Sequence, residues 1–211
     1  MKTKYLSIVL LILFISVSCG YIGSKRVKPN DETTWIWTGP FTDDIAAKYK
    51  SIGREVLKES FLTLTGEVSR AMKEGGVPHA VQYCNMKAYP IIDSLSKANH
   101  VSIKRVAMKN RNPDNFMRAF EQELYKDYAM KHIQKMSIMD QVVLSKDNYL
   151  EYYAPIIVTA QCLACHGKPG TDIQPENYEL IKSLYPDDKA IDHYVGDLRG
   201  MWRIRFMPTK Q

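Results

Sequence analysis

The sequence predicts an α+β domain in which a long N-terminal helix precedes shorter helices mixed with the strands of an antiparallel sheet. Three observations carry this. Apolar residues recur near helical spacing from Ile45 to Val68, a hairpin signal spans residues 133–159, and Met201 to Phe206 alternates as a closing strand. With 211 residues, 45% hydrophobic and 25% charged, the chain can build one sizeable core.

Residues 1–18 stand apart. Lys2 and Lys4 precede an uncharged apolar run from Leu6 to Val17, too short for a bilayer span and suited to a secretory signal. Ser16-Val-Ser-Cys19-Gly20 then looks like the lipobox of bacterial lipoproteins, although Ser16 stands where Leu is usual. An ordinary signal peptide with an incidental cysteine is the plainer alternative. The expected division is a signal peptide at 1–18, a lipid-bearing Cys19 opening a membrane tether at 19–40, and a domain at 41–211. Trp35 and Trp37 are expected to pack on that domain.

Thr42 or Asp43 can cap a helix running to about Glu74, with Ile45, Tyr49, Ile52, Val56, Phe61, Leu64 and Val68 on one face. Gly75-Gly76 ends it. So long a helix beside a tether could instead serve as a dimerising arm. Pro78 opens a second helix to about Asn99, whose inner face holds Ala80, Val81, Cys84, Ala88, Ile91, Ile92 and Leu95, and Pro90 is expected to kink it. Cys84 thus faces inward, either as a small core hydrophobe or as a thiolate metal ligand. His100 to Met108 reads as a strand, followed by a polar turn.

Arg105, Lys109 and Arg111 place three cations about that turn. By composition they form a solvated basic loop, and the sharper alternative is pairing with carboxylates of a bound group. Phe116 to Lys131 reads as a helix with Phe116, Ala119, Phe120, Leu124 and Tyr128 inside. Strands Ile133 to Leu144 and Tyr149 to Thr159 flank a four-residue loop. A short helix from Gln174 to Leu184 and a turn at 196–200 precede the last strand.

The chemistry concentrates at Cys162-Leu-Ala-Cys165-His166, the attachment signature of c-type haem. Cysteines three apart on a tight turn can each reach one of two neighbouring vinyl groups, and the next residue then lies over the iron with a neutral imidazole. Gly167 would let the chain pass close by the ring. Competing readings are a disulfide, a thioredoxin-like pair, or half of a zinc site lacking its second ligand pair. Export favours haem, which is attached outside the bacterial cytoplasm. Removing residues 1–18 lowers the formal charge from +6 to +4, a poor argument for nucleic acid.

Four separated segments carry a family resemblance: Ala80-Val-Gln-Tyr-Cys84, Arg111-Asn-Pro113 with Asn115, Cys162 to Pro169, and Val195-Gly-Asp-Leu-Arg-Gly200. Together they resemble the PAS-like c-type haem domain long catalogued as a domain of unknown function, over roughly residues 45–207. The resemblance implies a central antiparallel sheet flanked by helices, Cys84 as the axial partner of His166, and Arg111 near the haem propionates. Arg105-Val-Ala-Met108 replaces the family's Arg-x-Ser-Leu, so Met108 becomes a competing ligand.

The resulting expectation is an exported haem c lipoprotein carrying one haem. It is anchored through Cys19 on the periplasmic side of a bacterial membrane, and its iron is six-coordinate with a low potential. Thiolate stabilises ferric iron, whereas Met86 or Met108 would raise the potential. A filled coordination sphere suits electron transfer, or redox or gas sensing passed to a partner protein, more than catalysis. The alternatives are a thiol-disulfide oxidoreductase using Cys162 and Cys165, a peroxidase-like enzyme needing a distal base among His79, His100, His132 and His193, and a redox-inert lipoprotein.

Overall fold

A computed structural model describes residues 36–207. The signal peptide, Cys19, Trp35 and nearly all of the tether lie outside the described residues. The first helix, α1, spans Asp43–Ala98, with the Thr42 side chain accepting a hydrogen bond from the Ile45 amide as its N-cap. It is interrupted where expected: Gly75 and Gly76 leave helical geometry, and Gly76 takes φ 67°, a left-handed conformation glycine adopts freely. The Tyr83 hydroxyl donates to Glu67 sixteen residues earlier, so the arms on either side of the glycines lie against each other. Pro90 stays within helical geometry. Among the described residues no helix is long and apolar enough to cross a membrane.

The remaining elements are β1 (Val101–Val106), α2 (Ala119–Ile133), β2 (Gln141–Leu144), β3 (Leu150–Ile157), α3 (Leu163–His166), α4 (Pro175–Leu184) and β4 (Leu198–Phe206). The four strands form one antiparallel sheet in the order β1-β4-β3-β2. Helices flank it, so the architecture is the expected PAS-like α+β arrangement with a long N-terminal helix. Side chains alternate between faces. Ile103, Tyr152, Ile204 and Trp202 meet Val56 and Leu64 of α1 on one face. Tyr153 and Met201 meet Met117 and Tyr128 on the other, the α2 side. Trp37 packs edge-on to Tyr49 with ring centroids 5.5 Å apart.

Three expectations are corrected. Phe61 is exposed, and Ser60 is buried in its place. Four-residue steps from Val56 pass through 60 and 64, and the Ser60 hydroxyl donates to the Val56 carbonyl at 2.7 Å. Phe116 and Ala119 are exposed while Met117 is buried, because α2 begins only at Ala119 and the extended backbone before it alternates sides. The strand expected from Ile133 shortens to Gln141–Leu144, since α2 runs through Ile133 and Lys135 closes it at φ 56°.

The α2 face holds a charge network centred on the buried Glu151, Glu121, Arg203 and Arg205, with Arg118 part-exposed at its edge. Glu151 accepts from Arg118 at 2.9 Å and from Arg205 at 2.8 Å, and the Tyr153 hydroxyl donates to it at 2.9 Å. Burial alone would raise the Glu151 pKa, but Arg203, Arg118 and Arg205 outweigh it and hold the carboxyl below its ordinary 4.5. Glu151→Ala is expected to cost about 3–5 kcal/mol in urea unfolding, since it strands buried guanidinium charge. The contribution of Glu151 is complete above its ordinary pKa and drains as pH falls through the lower folded value. Wild-type and Glu151→Gln stabilities should therefore converge in acid. A constant gap down to pH ~2 would overturn the assignment.

Candidate functional site

The Cys162–His166 segment leaves β3 through a 3-10 turn, Ala160–Cys162, that runs directly into α3. One helical turn thus carries Cys162, Cys165 and His166. Both thiols are free, as is that of Cys84. Thr159 donates its amide to Cys162 Sγ at 3.4 Å, while Cys165 packs against the cluster of Val81, Ile173 and Ile181. The last carbonyls of so short a helix need outside partners. The Cys165 carbonyl accepts from Arg111 Nη2 at 2.5 Å, that of His166 from the His193 amide at 3.1 Å, and that of Gly167 from the Asp192 amide at 3.0 Å. Gly167 owes its identity to Asp172, since a Cβ would lie 2.5 Å from the Cβ of Asp172. The glycine therefore admits the loop that follows the motif.

His166 Nδ1 lies 2.8 Å from the Ala190 carbonyl. The ring therefore donates there, which leaves the lone pair on Nε2, the atom able to ligate a metal. Burial, then Arg111 and Arg199, push its pKa well below 6.5, so the imidazole is neutral, the form that ligates metal. Burial also pushes the Cys165 and Cys84 thiols up, against the pull of Arg111 on both and of Arg105 on Cys84.

Cys84 is brought to the motif from the second arm of α1 and lies within electrostatic reach of Cys165, Arg105 and Arg111. It lines a crevice between the arms with Leu64, Glu67 and Ala88. Arg105 reaches over the Trp202 ring at 5.8 Å, and Arg111 over that of Tyr185 at the same distance. Arg111 Nη2 also donates to Asp188 at 3.0 Å. Arg105 and His166 retain solvent-accessible surface although the surrounding protein desolvates both. The Lys109 ammonium is held by the carbonyls of Ile191 and Asp192, next to the Ala190 that holds His166. Met108 packs partly buried against the α2-side core, and Met86 is exposed.

Sequence reasoning missed several contributors. Asp188 and the Ala190 carbonyl lie between the helix ending at Leu184 and the turn at 196–200, a stretch to which the sequence assigned no role. Arg199 sits inside the quoted Gly-Asp-Leu-Arg-Gly run without having been singled out. Its guanidinium donates to the Lys109 carbonyl at 2.6 Å and faces Arg111 and Arg105. Of the histidines weighed as a distal base, only His193 is brought to the motif, its ring centroid 6.5 Å from that of His166.

These residues fit a covalently held haem. Cys162 and Cys165 would attach it, His166 would ligate its iron, and the arginine wall would face its acids. The donor set and tautomer argue for this, and so does a buried cation left short of acceptors, since Arg111 Nε has no hydrogen-bond partner. A family model described as Tll0287-like (Tll0287) matches residues 40–207. Among solved structures, the crystal structure of the cyanobacterial heme-protein Tll0287 matches at 23% identity with a TM-score of 0.54, covering 81% of this chain and 99% of that one. At that identity the likeness shows the fold. No curated protein matches the chain.

Proposed function

The chain belongs to the Tll0287-like family, and from that premise we propose that it is an exported c-type haem protein with a redox role, in electron transfer or in redox or gas sensing. Cys162 and Cys165 form the thioether links, His166 is one axial ligand and Cys84 the other. Bound there, the haem supplies a one-electron ferric/ferrous couple. The chain's own residues set its conditions. Ala190 holds the His166 tautomer, Arg111 ties the motif to the loop at 188–190, and the second arm of α1 brings Cys84 near Cys165. Two protein ligands leave no open position for a substrate, which favours a redox role over a catalytic one. Lipid on Cys19 would hold the domain on the periplasmic side of a membrane, and a partner protein would exchange electrons with it or receive its signal.

The observation that carries this reading is the His166 Nδ1 contact with Ala190 beside two free thiols one helical turn apart. Full-length chain made alongside the haem-attachment machinery should give a pyridine haemochrome spectrum of a doubly thioether-linked haem, one per chain. A colourless product under those conditions would sink the proposal.

A further inference from the structure

We propose that the end of α2 and the loop leading to β2 seat the domain on an anionic lipid surface. The inference deepens the membrane anchoring proposed above and rests on that reading for the choice of lipid over protein. Lys126, Met130 and Ile133 lie on the face of α2 opposite the buried Tyr128. The helix closes in a Schellman ending. The Lys135 amide donates to the His132 carbonyl at 3.0 Å, and the Met136 amide to the Lys131 carbonyl at 2.8 Å. That ending turns Met136 back over the last turn. Ile138 then packs into the α2-side core, which pins the loop and leaves its neighbour Met139 outside. Met130, Ile133, Met136 and Met139 are 55%, 75%, 55% and 61% exposed. Large apolar side chains gathered at one exposed corner mark an interaction surface.

The charges name the occupant. Asp127 is paired with Lys131 at 2.6 Å, and no described residue forms an ion pair with Lys126 or Lys135. Asp140, next after Met139, holds both Arg54 at 2.6 Å and Lys50 at 3.5 Å. Lys58 follows Arg54 one turn later on the same face of α1. Three acids, Glu123, Asp127 and Asp140, are thus set against six cations across this surface. Apolar side chains among lysines suit the boundary of an anionic bilayer, where the cations meet phosphates and the apolar groups reach past them. The tether joins the domain nearby. The Trp37 amide donates at 2.6 Å to the carbonyl of Asn148, in the turn after β2. The four residues of β2, about 14 Å of strand, separate that turn from the patch. Arg105 of the haem site belongs to β1, the opposite edge of the sheet, with β4 and β3 between it and β2. A domain seated in this way holds that edge away from the lipid.

The test uses full-length chain in vesicles, with Ile133→Trp as a reporter within the patch and the parent's tryptophans as background. In phosphatidylglycerol vesicles with brominated acyl chains, the added emission should be quenched. Brominated phosphatidylcholine vesicles should leave it unquenched. Lys126→Gln together with Lys135→Gln should lower the ratio of seated to unseated chains about 25-fold, at about fivefold for each cation, and restore the emission. Circular dichroism establishes that each variant is folded, and Met136→Trp serves as the reporter if Ile133→Trp is not. Mass spectrometry of Cys19 reads the anchor separately. Unquenched emission on chain held by lipid at Cys19 would overturn the seat and leave the anchor and haem readings intact. Equal quenching in both vesicle types would overturn the anionic surface. Quenching on chain without lipid at Cys19 would strike the anchor alone and support the seat. Chain that lacks the lipid and fails to float with phosphatidylglycerol vesicles would strike both.

Discussion

Full-length chain carrying Cys162→Ser and Cys165→Ser will lose all covalently held pigment. Acidified organic solvent will extract any haem that remains, whereas the parent will keep its colour on the chain. The effect should be all or none, because each thioether needs a sulfur and serine cannot supply one. The structure sharpens the expectation. Both thiols are free and lie on a single turn running from Ala160–Cys162 into α3. Single variants should retain one thioether and show the displaced haemochrome band of a single linkage. His166→Ala, by contrast, should keep attached pigment with an altered spectrum, since it removes a ligand and no link. Parent protein that is pale, with Cys162 and Cys165 cycling between dithiol and disulfide, would overturn the account and favour a thiol-disulfide enzyme.

Cys84→Ala is the second large effect. It should change the ferric spectrum outright and raise the reduction potential by on the order of a hundred millivolts, within the ~0.8 V that axial ligands span. Burial keeps the free Cys84 thiol protonated. Binding iron would draw off that proton, and the resulting anion stabilises the ferric state. Arg105 and Arg111, close enough to lower the thiol's pKa, offset part of the cost of burying that charge. The wild-type potential should accordingly be low. A ferric spectrum unmoved by Cys84→Ala would remove this residue as ligand. The search would then pass to Met108, which the structure packs against the α2-side core.

The four segments that carried the resemblance are far apart in sequence, and the fold shows how they meet. Cys84 was legible as an inward-facing residue because helical spacing is local, and the break at Gly75-Gly76 was legible because glycine punctuates helices. That the two arms fold back on each other, carrying Cys84 toward Cys165, depends on packing across α1, α3 and α4. Lys109 shows the limit of reading charge from composition. It looked equivalent to Arg111, yet one guanidinium ties down the haem motif while the ammonium is consumed by two carbonyls. Phe61 and Phe116 failed for a nearer reason. Hydrophobicity ranks residues, but helix phase at Phe61 and the alternation of extended backbone at Phe116 decide which of two neighbours turns inward.

The sequence by itself determined the α+β class, the order of helices and strands, and the attachment pentad, because propensity, turn chemistry and three-residue spacing act over a few residues. Only the tertiary structure decided which nitrogen of His166 is free, which cations face the site, and that His193 is left with a buried, unpartnered atom. Those facts arise from contacts between residues 24 to 90 positions apart, such as His166 with Ala190 and Arg199 with Lys109, and no local pattern encodes them.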